Sequence, residues 1–155
     1  GMTLEMREGG RDMNSLDIAR RLLLEEETCV LATCLDGEPH CSLMRYAADE
    51  QGREIRCCTA KDTRKYRNVL ANPRVSLLVD TRGRGDGDIL ALTVAGLHVP
   101  CQNATEERRL VEAFLARHPT VRASLGSGEP ALIRVAIESY LLLDGQGRSW
   151  FHRLD

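Results

Sequence analysis

The chain lacks any strong excess of charge of one sign. Its 21 Lys and Arg against 23 Asp and Glu leave a formal net charge of -2, which gives no reason to expect nucleic acid as a partner. No apolar run approaches membrane-spanning length, and no charged-then-apolar leader precedes the runs there are, so the expectation is a cytoplasmic protein without membrane attachment. Six cysteines occur, at 29, 34, 41, 57, 58 and 101, with no Cys-x-x-Cys pair among them. Zinc-ligand spacing is therefore absent and no metal site is expected. Cys57 and Cys58 are neighbours in an extended segment and point to opposite faces, which suits reduced thiols acting as small apolar side chains. No Ser-His-Asp order and no carboxylate pair stands out, so hydrolysis has no support.

What is present suffices for one core. At 155 residues with 43% apolar content the chain is about one domain and needs no disulfide staples. Gly1 ahead of Met2 resembles the remnant of an expression tag. Residues 1–14 read as a polar, mobile tail, and 15–155 as the single domain.

Ser15 or Asn14 is placed to cap a helix running to about Glu27, with Leu16, Ala19, Leu22 and Leu23 at helical spacing. Cys29 to Thr33 is β-rich, Asp36-Gly37 signals a hairpin into Cys41 to Ala47, and a turn at 49–52 leads to Glu54 to Thr59. Val75 to Asp80 is nearly continuous apolar sequence and suits an inner strand. Thr81 to Asp88 is a glycine-rich turn; its Arg84-Gly85-Asp86 tripeptide is treated as a chance recurrence. Ile89 to Val99 is a strand with Gly96 as a bulge or close-approach point. Thr105 caps a helix to Arg117, with His118 as a cation at its C-terminus. Ala131 to Ile137 and Tyr140 to Leu143 are late strands separated at Glu138-Ser139. About six strands and two longer helices argue for a small barrel.

The segment Thr59 to Val79 carries the chemistry. Asp62 or Thr63 caps a short helix that Pro73 ends, so Thr63, Arg64 and Lys65 stand at a helix start, where free amides and the helix dipole favour an anion. Arg64 supplies a fork and Lys65 a point charge beside the Thr59 and Thr63 hydroxyls, a donor set suited to phosphate. From these residues alone, an ordinary solvated helix face has equal weight.

Pro39-His-Cys-Ser42, Thr63-Arg-Lys65-Tyr-Arg-Asn68 and Asn72-Pro-Arg-Val-Ser-Leu77 follow one another in the order found in the flavin-binding split-barrel proteins related to pyridoxamine 5'-phosphate oxidase, and the chain resembles that family over roughly residues 15 to 150. The resemblance implies a mainly β fold with flanking helices, a six-stranded antiparallel split barrel. It implies flavin mononucleotide (FMN) at the interface of a homodimer, with Thr59, Thr63, Arg64 and Lys65 at the phosphate. Ser42, Leu43 and Met44 would lie along the ribityl chain and ring, and Trp150 would stack on the ring from the partner subunit or simply pack in a core. The implied activity is flavin-dependent oxidation or reduction of an unidentified small molecule, with no catalytic residue identifiable.

The later half, through His118-Pro119, Ala131-Leu-Ile-Arg134-Val and Leu143-Asp-Gly-Gln-Gly147-Arg-Ser, resembles the heme-utilisation branch, in which His152 would be a candidate ligand. Heme binding or degradation and a non-catalytic flavin-binding module are therefore the alternatives. Arg148, His152 and Arg153 give no match to the C-terminal segment that oxidation of pyridoxamine phosphate itself requires.

Overall fold

The computed structural model describes residues 6–8, 11–85 and 87–155. Of the tail expected to be mobile, 1–5 and 9–10 lie outside the described residues, as does Asp86 of the Arg-Gly-Asp tripeptide. Strands β1 (Met6–Glu8) and β2 (Arg11–Met13) pair antiparallel.

Helix α1 (Ser15–Glu25) starts where the Asn14 side chain accepts a hydrogen bond from the Asp17 amide at 2.9 Å, and it buries Ile18, Ala19, Leu22 and Leu23 on one stripe. Strands β3 (Thr28–Leu35) and β4 (Glu38–Arg45) form a hairpin whose two-residue turn has both residues left-handed, Asp36 at φ 53° and Gly37 at φ 78°. That geometry matches the strand twist, and Asp-Gly is a pair that adopts it readily. Next come β5 (Ala47–Ala48), β6 (Glu54–Ala60), α2 (Arg64–Ala71), β7 (Arg74–Asp80), a 3-10 turn (Arg82–Arg84) and β8 (Ala91–His98). Helices α3 (Ala104–Arg117) and α4 (Val121–Ser124) precede β9 (Pro130–Leu143) and β10 (Ser149–Arg153).

All strands from β3 onward join one antiparallel sheet in the order β4-β3-β7-β8-β9-β6-β5, with β10 also on β9. The ribbon curls until its ends, β4 and β5, are separated in sequence by Tyr46 alone. Tyr46 fixes this corner. Its amide donates to the Glu27 carbonyl, its hydroxyl donates to the Leu23 carbonyl at 2.6 Å, and its own carbonyl accepts from His118 Nε2 at 3.1 Å. The fold is thus mainly β with flanking helices, a split antiparallel barrel.

The six long strands are the expected ones, while β5 and β10 are short additions. One correction concerns the late strands: β9 is continuous, and Glu138 is the extra residue of a bulge at which the register shifts from Ala95↔Ser139 to Gly96↔Ile137. A Cβ on Gly96 would run into the Ala136 carbonyl oxygen, so the bulge needs glycine opposite it. A second correction concerns α3, whose cap is Asn103 rather than Thr105, since Asn103 Oδ1 accepts the Glu106 amide at 2.8 Å. His118 does end α3, but it is buried and spends Nε2–H on Tyr46.

Two cores result. The barrel interior, plugged by α1, contains Leu31, Ile55, Cys57, Leu77, Val94 and Tyr140 among others. Helix α3 covers the opposite face of β6 and β9, placing Leu110, Val111, Phe114 and Leu115 on Cys58 and Leu132. Cys57 and Cys58 therefore serve different cores, as strand alternation requires.

Candidate functional site

Helix α2 owes its position to two amides one turn apart. Asn68 is 3% exposed and its Nδ2 donates to Thr33 Oγ1 of β3 at 3.0 Å, while Asn72 Nδ2 donates to the Cys34 carbonyl at 2.9 Å. Val69 between them is buried. Pro73 forces Asn72 out of helical geometry, to φ -136° and ψ 106°, and β7 begins at once. The helix is therefore pinned along β3 with its first turn at the end of β6.

Thr63 is the N-cap, its Oγ1 accepting the Tyr66 amide at 3.4 Å. The same hydroxyl donates to the Ala60 carbonyl at 3.0 Å and lies 3.0 Å from Thr59 Oγ1. Each hydroxyl has one proton. With Thr63's proton on Ala60, Thr59's goes to Thr63, so both hydroxyls are spent within the protein. In this arrangement the two threonines build the helix start. The donors left over are the amides of Arg64 and Lys65, which have no intrahelical acceptor, and the two cationic side chains.

Those cations differ. Arg64 Nη2 donates to Glu38 Oε2 at 3.1 Å, both side chains being well exposed. Lys65 is half-buried and has no ion pair among the described residues. Its charge is felt by the interior Cys57 thiol, whose pKa lies well above the ordinary range because of its hydrogen bond with Cys29 and its burial, with Lys65 acting in the opposite sense.

The remaining predicted residues are separated by strand alternation. Ser42 and Met44 face the barrel interior, Ser42 Oγ lying 3.3 Å from His40 Nε2, whereas Leu43 faces out and is 73% exposed. Leu43 lines an outer cleft of about 620 Å3 together with Glu27, Val30, Arg45, Leu78 and Asp80. This cleft lies at the open end of the β3–β4 hairpin, whereas Glu38 and Arg64 meet at its turn, roughly 20 Å away along β4.

Trp150 is not brought to α2. It pairs with Leu142 at the far end of β9 from Ala131, the partner of Thr59. The indole is 5% exposed in the barrel core, its Nε1 has no partner among the described residues, and the Arg148 guanidinium lies 5.6 Å from the ring centroid. His152 Nε2 is 2.7 Å from the buried Ser15 hydroxyl at the start of α1.

Sequence reasoning assigned no role to Thr33, Asn68, Asn72 or Glu38. The four-residue spacing of the two asparagines was a usable signal, since it puts both amides on one helix face. Glu38 gave none, because its meeting with Arg64 depends on how the hairpin and α2 dock.

The model for the pyridoxamine 5'-phosphate oxidase family matches residues 16–144 of this chain. A pyridoxamine 5'-phosphate oxidase homolog from Schizosaccharomyces pombe is 38% identical over 68 residues, covering 39% of this chain and 36% of the homolog. The chain thus spans little more than a third of that relative's length. Among solved structures, a heme binding protein from Mycobacterium smegmatis has TM-score 0.72 at 17% identity, covering 87% of this chain and 56% of that one. An FAD-binding protein from Mesorhizobium loti has TM-score 0.66 at 21% identity, covering 84% and 94%. At these identities the structures establish a shared fold. The family match extends over α1, the α2 site and β9, and the chain belongs to the pyridoxamine 5'-phosphate oxidase family.

Proposed function

We propose that this chain binds FMN by its phosphate at the start of α2 and acts, as a homodimer, in flavin-dependent oxidation or reduction of a small molecule. The observation that carries this reading is Lys65, a half-buried cation without a carboxylate partner among the described residues, next to Arg64 and two unspent amides on a helix that Asn68 and Asn72 hold rigid. That donor set fits a phosphate dianion. Lys65 would supply the fixed charge and Arg64 a forked contact, with Thr59 and Thr63 holding the turn that presents them. Bound flavin supplies hydride or electron transfer, and the protein supplies position and field. Among the described residues of this site no side chain stands out as an acid or base.

A row of side chains on the outer sheet face supports the dimer. Leu43, Val30, Leu78, Thr93, Leu141 and Phe151 are successive cross-strand partners from β4 to β10. Leu43 is 73%, Leu78 36% and Phe151 57% exposed, in a mainly apolar stripe interrupted by Thr93, of the kind that a second copy covers. In such a dimer Leu43 and the outer cleft would lie near the partner.

The absorption spectrum of purified protein, with a thermal melt in added FMN, tests the proposal. A flavin spectrum or a melting temperature that rises with FMN is expected; colourless protein with an unmoved melt overturns it. The heme reading is weaker, because His152 is engaged with Ser15. A Soret shift on adding hemin that disappears in His152→Ala would restore it. Reduction of bound flavin by a nicotinamide cofactor without oxygen separates an enzyme from a passive flavin carrier.

A further inference from the structure

We propose that Glu38 is a built-in competitor for the anionic ligand of the α2 site, holding Arg64 until a phosphate displaces it. This rests on the phosphate reading above. Glu38 is the first residue of β4, and its backbone is set by the turn that pairs it with Leu35. Arg64 is set equally firmly as the first residue of α2. Only their side chains can move, and both have room to do so, with 76% and 50% exposure.

The pair is single-stranded in hydrogen-bond terms, one Nη2 to one Oε2 at 3.1 Å. An exposed, monodentate pair of this sort is weak and readily exchanged. A phosphate dianion offers Arg64 more charge and more acceptor oxygens, so it wins the exchange when Lys65 holds it nearby. Other cations around the α2 start are committed elsewhere: Lys61 to Glu129 and Glu107, and Arg67 Nη1 to the Asp62 carbonyl. Arg64 is thus the cation whose partner must change.

Two consequences follow from this exchange. Glu38 lowers the affinity for any anion at the site, since its carboxylate competes for the guanidinium and repels the incoming charge. A ligand lacking the phosphate leaves the pair undisturbed and is indifferent to Glu38.

The test compares FMN with riboflavin, which has the same ring and ribityl chain without phosphate, on wild type and Glu38→Gln. Glu112→Gln, whose partner Arg122 lies beyond α3, serves as the charge control. Glu38→Gln is expected to tighten FMN about two- to five-fold, to leave riboflavin unchanged, and to lose its advantage in high salt. Unchanged or weaker FMN binding in Glu38→Gln, with wild type still preferring FMN to riboflavin, overturns the role of Glu38 and leaves the phosphate reading intact. Wild type that fails to prefer FMN over riboflavin overturns both. An equal gain in Glu112→Gln reduces the effect to overall charge and also overturns the proposal.

Discussion

Lys65 and Asn68 are three residues apart on α2 and have opposite work, one without an ion pair among the described residues and the other spent on Thr33. Asn68→Ala removes a buried hydrogen bond and strands the Thr33 hydroxyl, so it should cost about 1–3 kcal/mol in a urea titration. Asn68→Leu together with Thr33→Val should recover part of that, because no polar group is then left alone. Cys58 offers a pH test. Burial, then the charge of Glu107, pushes its thiol up to about 11 from the ordinary value of 9.0. A raised thiol pKa means the folded state resists ionisation, so this contribution is full below about pH 9 and is lost as pH rises towards 11. Unfolding midpoints should fall over that window, and less steeply in Cys58→Ala. Two-faced burial of Cys57 and Cys58 was legible from strand alternation. The direction of Trp150 was not, since either face of β10 was open to it until the pairing with Leu142 was known.

At the scale of elements, local signals proved readable and register did not. The Asp36-Gly37 hairpin and the Pro73 stop are decided within a few residues and are found where the sequence puts them, and of each pair of cap candidates the structure uses Asn14 rather than Ser15 and Thr63 rather than Asp62. The α3 start was missed by two residues although a local signal separates the two caps: Asn103 is followed three residues on by Glu106, whose carboxylate accepts the Gln102 amide, whereas Thr105 is followed by Arg108. Strand β10 was missed because Ser149 to Arg153 is only five residues long, and its two aromatics, Trp150 and Phe151, are shown to be strand residues by their pairing with β9. Gly96 was correctly singled out, yet which residue bulges opposite it depended on the β8–β9 register. Gly96→Val should destabilise the protein by about 1–3 kcal/mol, as overpacking against the Ala136 carbonyl demands. An unchanged melting temperature in that variant would mean the bulge is more pliable than its close contact implies.

For the molecule as a whole, the curled sheet places its apolar stripe outward and its phosphate-type donors at the end of β6. Leu43→Asp with Phe151→Asp should turn a roughly 35 kDa species into one of about 17 kDa in light scattering, each chain being 17.3 kDa. Wild type that is already monomeric at micromolar concentration would remove the second copy from the account. The α2 site was legible as a stretch of residue types, whereas the spending of Thr59 and Thr63 on the turn became visible only with their hydrogen bonds. The most direct test of the central claim is calorimetric titration of FMN and riboflavin into wild type and into Arg64→Ala/Lys65→Ala. Wild type is expected to prefer FMN, and the double variant, folded by circular dichroism, to lose at least about ten-fold in FMN affinity while its riboflavin affinity holds. Equal FMN affinity in the two proteins would contradict the central claim.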